Sequence, residues 1–146
     1  MRSQSAESVE NLYTEALRLA SASRSYFDGK GKAERATLPA ELRASLAIES
    51  VYITARLMAI VTWGLLRQAV TAGDIAAADV LKPDRRLGNA DVTGARRPSV
   101  LARFPDRARS LSIATHELYE ISLLADARLH GDFVAPGNAA MQGTAG

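Results

Sequence analysis

The longest regular pattern in the chain lies at residues 42–72, where apolar positions recur in three rows at helical spacing. Leu42, Leu46, Ile53, Leu57, Ile60 and Gly64 form one row. Ile48, Val51, Ala55, Met58, Leu65 and Ala69 form a second, and Tyr52, Ala59, Trp63, Leu66 and Val70 a third. A polar stripe of Arg43, Ser50, Thr54 and Gln68 is all that interrupts them, and Val61 breaks even that. Two neighbouring helices cannot cover so much apolar circumference. The pattern therefore predicts either further helices or contact with a second copy of the chain.

Two more helical stretches flank this one. Val9, Leu12, Ala16, Leu19, Ser23 and Tyr26 step by three and four, which predicts a helix over about 6–27 closed at Asp28-Gly29. Residues 30–37 read as a short solvent-facing connection. Pro39 opens the central helix over 39–72, because proline in the first turn costs no intrahelical hydrogen bond, and Gly73-Asp74 closes it. An Ala-rich turn through Leu81 and a loop over 82–104 follow, punctuated by Pro83, Gly88, Gly94 and Pro98. Ala108, Leu111, Ala114, Leu118, Ile121 and Ala125 then mark a third helix over 105–130, ending at His130-Gly131. Residues 131–146 show no period and predict a disordered tail. The expected fold is all-α, an antiparallel three-helix bundle spanning 1–130, with a long loop between its second and third helices.

A chain of 146 residues with 47% apolar and only 5% aromatic residues suits one helical domain with a modest core. Without cysteine it has neither disulfides nor a thiolate metal site, which fits a reducing cytoplasm. Its first residues show a polar amphipathic pattern rather than a charged-then-apolar one, so export is not expected. The run 57–66 reads as too short to span a bilayer, with Glu49, Arg56 and Arg67 flanking it, so no membrane is expected. The net charge of +2 gives no general attraction to nucleic acid. Charge is instead local: Lys82, Arg85, Arg86, Arg96, Arg97, Arg103, Arg107 and Arg109 face only Asp84, Asp91 and Asp106, a net of +5 over 82–109. Arginine pairs bidentately with carboxylate or phosphate, so this loop is the candidate partner-binding surface, with a solvated loop as the plain alternative.

Candidate chemistry is sparse. The sequence GKGK at 29–32 lacks the spacing and the Ser/Thr of a phosphate-binding loop. His116-Glu117 point about 100° apart on a helix and residue 120 is Glu, so the HExxH pattern fails, while His130 with Asp126 lacks a third ligand. No Gly-x-Ser-x-Gly or other nucleophile arrangement occurs. Neither an enzyme nor a cofactor is expected. Glu49 and Arg56 read either as an ion pair across a two-fold axis or as charges reaching solvent at the bundle edge. Together with Met58 and Leu65 they are the candidate dimer contacts. Trp63-Gly64 reads as core beside a close helix approach, or as an exposed anchor.

Several stretches occur in an order that resembles a known family: Tyr26-Phe27-Asp28-Gly29-x-Gly31, Glu49-Ser50, Thr54-x-Arg56-Leu57-Met58, Trp63-x-Leu65-Leu66-x-Gln68-Ala69-Val70, Arg86-Leu87-Gly88 and Leu118-Tyr119. They look like the DUF1465 family of alphaproteobacteria, whose members include the regulator of CtrA degradation, over about residues 9–129. The last helix departs from the pattern at Glu120-Ile121 and Ala127-Arg128-Leu129. The resemblance implies a dimeric three-helix bundle acting as a non-enzymatic adaptor that helps the ClpXP protease receive cell-cycle regulators. Its partners would be the ClpX unfoldase, response-regulator-type and cyclic-di-GMP-binding adaptors, and cargo. A DNA-associated regulator gripping phosphates with the basic loop is the competing expectation.

Overall fold

Gly31 shows how closely this chain turns back on itself: a Cβ there would lie 2.7 Å from both the ring and the carbonyl oxygen of Tyr26. Only glycine fits, so the segment after the first helix folds tightly against it. The computed structural model describes the backbone of residues 4–88, 92 and 97–144, and the side chains of these except 4–7, 81, 84 and 132–144. Among the described residues there are five α-helices and no strand: α1 Gln4–Asp28, α2 Lys30–Ala36, α3 Ala40–Thr71, α4 Pro98–Leu101 and α5 Asp106–Thr144. Two 3₁₀ turns, Ala77–Leu81 and Pro83–Arg85, lie between α3 and α4. The expected open connection at 30–37 is thus mostly helical, and Gly31 is what lets α2 form there.

Each long helix packs on the other two. Val9, Ala16, Leu19 and Tyr26 of α1 meet Leu42, Leu46, Ile53, Leu57 and Ile60 of α3, while Ala108, Leu111, Leu118 and Tyr119 of α5 complete the core. The first row of the central helix is therefore the buried one. Gly73, at φ +83, ends α3 in the left-handed conformation. The Asp74 and Gly73 amides then bond back to the Ala69 and Val70 carbonyls, at 2.9 and 3.0 Å. Those bonds satisfy carbonyls that a helix end otherwise leaves open.

Three expectations are corrected. The helices are not all antiparallel. Tyr13 of α1 lies against Gly64 near the far end of α3, so this pair is antiparallel. Glu49 meets Ser112, Arg56 meets Thr115 and Trp63 meets Asp126, so α3 and α5 run parallel. Residues 72–105 must accordingly carry the chain back along α3, about 40 Å at 1.5 Å per helical residue. That takes only about 13 extended residues at about 3.3 Å each, so a connection of this length permits the crossover.

The second correction concerns α5, whose inward face is rotated from the predicted one. Ser112, Thr115, Ser122 and Asp126 are buried and Ile121 is 53% exposed. Third, α5 does not stop at Gly131 but keeps a helical backbone to Thr144. An interior glycine costs a helix only about 1 kcal/mol, too little to end one by itself.

By length and hydropathy α3 also qualifies to cross a bilayer, contrary to the shorter run counted in the sequence. Its packing against α1 and α5, with Arg56 fully buried, accounts for the same composition inside a helical bundle.

The buried Tyr26 hydroxyl donates to Glu34 Oε2 at 2.5 Å and ties α2 to α1. Burial, then the Glu34 carboxylate, pushes its ionisation far above the ordinary tyrosine range. The neutral form is the one the fold favours. Its contribution is complete below about pH 10, the unfolded value, and is lost as pH rises beyond it. Tyr26→Phe is expected to cost about 1 kcal/mol at pH 7 and to lose less stability than the parent between about pH 10 and 11. Urea unfolding across that range measures both.

Candidate functional site

The groove between the parallel helices α3 and α5 holds two polar clusters. Both begin from one row of α3, since Glu49, Arg56 and Trp63 are seven residues apart and share a face. In the lower cluster the Arg56 side chain, fully buried, donates to Glu49 Oε2 at 3.0 Å and to Thr115 Oγ1 at 3.3 Å. Ser112 Oγ donates to the same Glu49 oxygen at 2.5 Å. Both charges offered as contacts across a two-fold axis are thus paired within one chain. Arg56 cannot reach a second copy.

The upper cluster is built on Asp126, 1% exposed. Trp63 Nε1 and an Arg67 amino group donate to its Oδ1, each at 3.0 Å, and Arg86 Nε donates to its Oδ2 at 3.1 Å. A buried carboxylate is tolerable only with such donors. Here they come from α3 and from the connection. Leu87, beside Arg86, joins the core, and Arg86 therefore anchors the crossover to the groove floor. Of the two sequence readings of Trp63, its 3% exposure supports core over exposed anchor, and neither included its bond to Asp126. The available signal was Arg67, four residues after Trp63 on the same face of the helix.

The basic residues divide by role. Arg86 is committed to Asp126, whereas Arg85, Arg97 and Arg103 are exposed. Arg96 lies outside the described residues. Arg97 borders a cleft of about 310 Å³ walled by Ile48, Tyr52, Val100, Leu101 and Phe104, with Glu49 at its floor. Arg85 and Arg86 border a second, of about 440 Å³, beside Met58, Trp63 and Tyr119. Such clefts suit apolar side chains of a partner, and the exposed guanidiniums suit its acidic groups.

On the outside of α3, Met58 is 51% and Leu65 49% exposed, with Ile48 at 61% and Val51 at 66%. The second row of the central helix is the uncovered one. His116 pairs with Glu120 at 2.9 Å one turn along α5, while Asp126, weighed with His130 as a ligand pair, is occupied by the arginines and Trp63. No group of three His, Asp or Glu residues converges on a possible metal site among the described residues.

Asp126→Ala would leave two largely buried guanidiniums without their carboxylate. Its expected cost is about 3–5 kcal/mol in urea unfolding. Arg85→Ala, at an exposed position of the same connection, should cost less than about 0.5 kcal/mol. A loss below 1 kcal/mol for Asp126→Ala would mean that the cluster does not hold the crossover.

Comparison with known proteins agrees with this architecture. The sequence model of a protein family of unknown function, DUF1465, matches residues 1–143. No curated protein matches the chain. Among solved structures, the crystal structure of RcdA from Caulobacter crescentus CB15 shares the fold, with a TM-score of 0.69 at 22% identity. The match covers 88% of this chain and 92% of that one. Since the family match takes in nearly the whole chain, Arg86-Leu87-Gly88 and the central helix included, this protein belongs to the DUF1465 family.

Proposed function

We propose that this protein is a cytoplasmic, non-enzymatic adaptor in regulated proteolysis, bringing cell-cycle regulators to the ClpXP protease. The observation that carries the reading is membership of DUF1465 together with the fold shared with RcdA. An adaptor needs two separate contact surfaces, because it works by raising the local concentration of cargo at an unfoldase. Two are available. The crossover, pinned through Arg86, presents Arg85, Arg97 and Arg103 outward for an acidic protein partner, with Arg96 as a fourth candidate. The outer face of α3 carries Met58 and Leu65 and joins two copies of this bundle into a homodimer. Residues 131–146 serve as a further contact or tether.

Affinity capture of a tagged copy from its own cells, at moderate salt and with nuclease, tests the adaptor reading. ClpX or a response-regulator-type adaptor should co-purify, and Arg85→Ser/Arg97→Ser/Arg103→Ser should reduce the yield at least severalfold with helical content unchanged. Arg86 is left in place because its loss would disturb the fold. Recovery of neither partner, with nucleic acid retained only when nuclease is omitted, would favour the DNA-associated reading. Met58→Glu and Leu65→Glu each place a charge on the outer face of α3 and are expected to yield monomers in light scattering. Dimers persisting in both variants would remove that face from the assembly.

A further inference from the structure

The outer face of α3 carries two interleaved rows of unlike size. Val51, Met58 and Leu65 form the large row, each about half or more exposed, and Ala55, Thr62 and Ala69 form the small one. The steps alternate three and four residues, the spacing of a coiled-coil seam. The seam has natural ends: Glu41 lies one heptad before Ile48, and Ala72 precedes the left-handed Gly73. No charged side chain interrupts it between those ends, so a charged partner segment finds no complement there.

Size alternation makes the face complementary to itself in one orientation only. With two such helices parallel about a two-fold axis, like faces like. Layers of Met58 on Met58 would then alternate with layers of Ala55 on Ala55, and a helix pair at one separation would clash at the first or leave voids at the second. With the helices antiparallel, every layer joins a large residue to a small one.

We infer that two copies pair through this face with their α3 helices antiparallel, Met58 of one packing over the partner's Thr62. This rests on the homodimer reading above and specifies its geometry. The same register sets Leu65 over the partner's Ala55, Val51 over the partner's Ala69 and Ile48 over the partner's Ala72. Sliding by one heptad one way would put Ile48 against the partner's Leu65, two large residues in one layer. Sliding the other way would set Ala55 against the partner's Ala72 and leave Ile48 and Val51 beyond the end of the partner's α3. The evenly filled register has its axis at the level of residue 60. The small row also lets the two backbones approach closely, which strengthens dispersion contacts along the seam.

The absence of cysteine allows a direct test on the full chain. Val51→Cys/Ala69→Cys should form a covalent dimer on mild oxidation at low protein concentration, with both disulfides made between chains. Within one chain the two positions are about 27 Å apart along α3, far beyond the roughly 7 Å limit between bridged Cα atoms. Val51→Cys alone should not cross-link, because antiparallel pairing separates the two copies of that position by a similar distance. Strong cross-linking of Val51→Cys alone would establish parallel pairing and overturn the inference. Dimers in light scattering without cross-linking of the double variant would overturn it too, while the homodimer reading stands. Monomers in the unsubstituted protein would instead overturn that reading itself.

Discussion

Asp126 is the constraint on which the arrangement of the last two helices depends. A carboxylate almost wholly removed from water costs several kcal/mol unless donors surround it. This one receives Trp63 and Arg67 from α3 and Arg86 from the crossover, so three segments must meet at one point. The requirement sets register as well as proximity. α5 has to bring Asp126 level with residues 63–67 of α3, and the connection has to arrive there with Arg86 turned inward. The second buried pair, Glu49 with Arg56, repeats the demand two turns below and recruits Ser112 and Thr115. Apolar packing alone would tolerate sliding of two parallel helices. These paired charges do not.

The Asp126 cluster also fixes where the crossover meets the bundle. A connection spanning most of the length of α3 would ordinarily be the least ordered part of a small bundle. Arg86 and Leu87 fasten its middle to the groove, and Phe104 returns it to the core just before α5. Among the described residues of the connection, the exposed Arg85 directly precedes the anchoring Arg86, and the exposed Arg97 lies ahead of Phe104. The basic loop read from the sequence is better described as a strap, with one arginine holding it down and its neighbours facing out.

Much of the fold was legible because helix periodicity is a local property. The row from Val9 to Tyr26 and the row from Leu42 to Gly64 both turn inward, and the stops at Asp28-Gly29 and Gly73-Asp74 fall at the ends of α1 and α3. Helix direction was not legible, since nothing local distinguishes a loop that turns around from one that crosses over. Neither was the inward face of α5. Ser112, Thr115, Ser122 and Asp126 look like a surface stripe until their partners are known: Glu49 for Ser112, Arg56 for Thr115, the Leu118 carbonyl for Ser122, and Trp63, Arg67 and Arg86 for Asp126. A hydrophobicity pattern therefore selects Ile121 and rotates the helix. Arg56 misled for the related reason that a charge in an apolar helix suggests an edge or an interface. Its partner was seven residues away in the same helix.

These facts also account for the exposed face of α3. A helix flanked by α1 on one side and by α5 with its strap on the other has only its outermost strip left, yet that strip is apolar through Ile48, Val51, Met58 and Leu65. Isolated exposed apolar residues need no explanation, but a continuous seam of them on the longest core helix does. The strap borders the seam on the α5 side, as the shared cleft of Met58, Thr62, Arg85 and Leu87 shows. A copy docked on the seam would therefore stand beside the strap rather than over it. On the proposed dimer, pairing and partner capture would use adjacent surfaces of one bundle, and each dimer would present two basic straps to its partners.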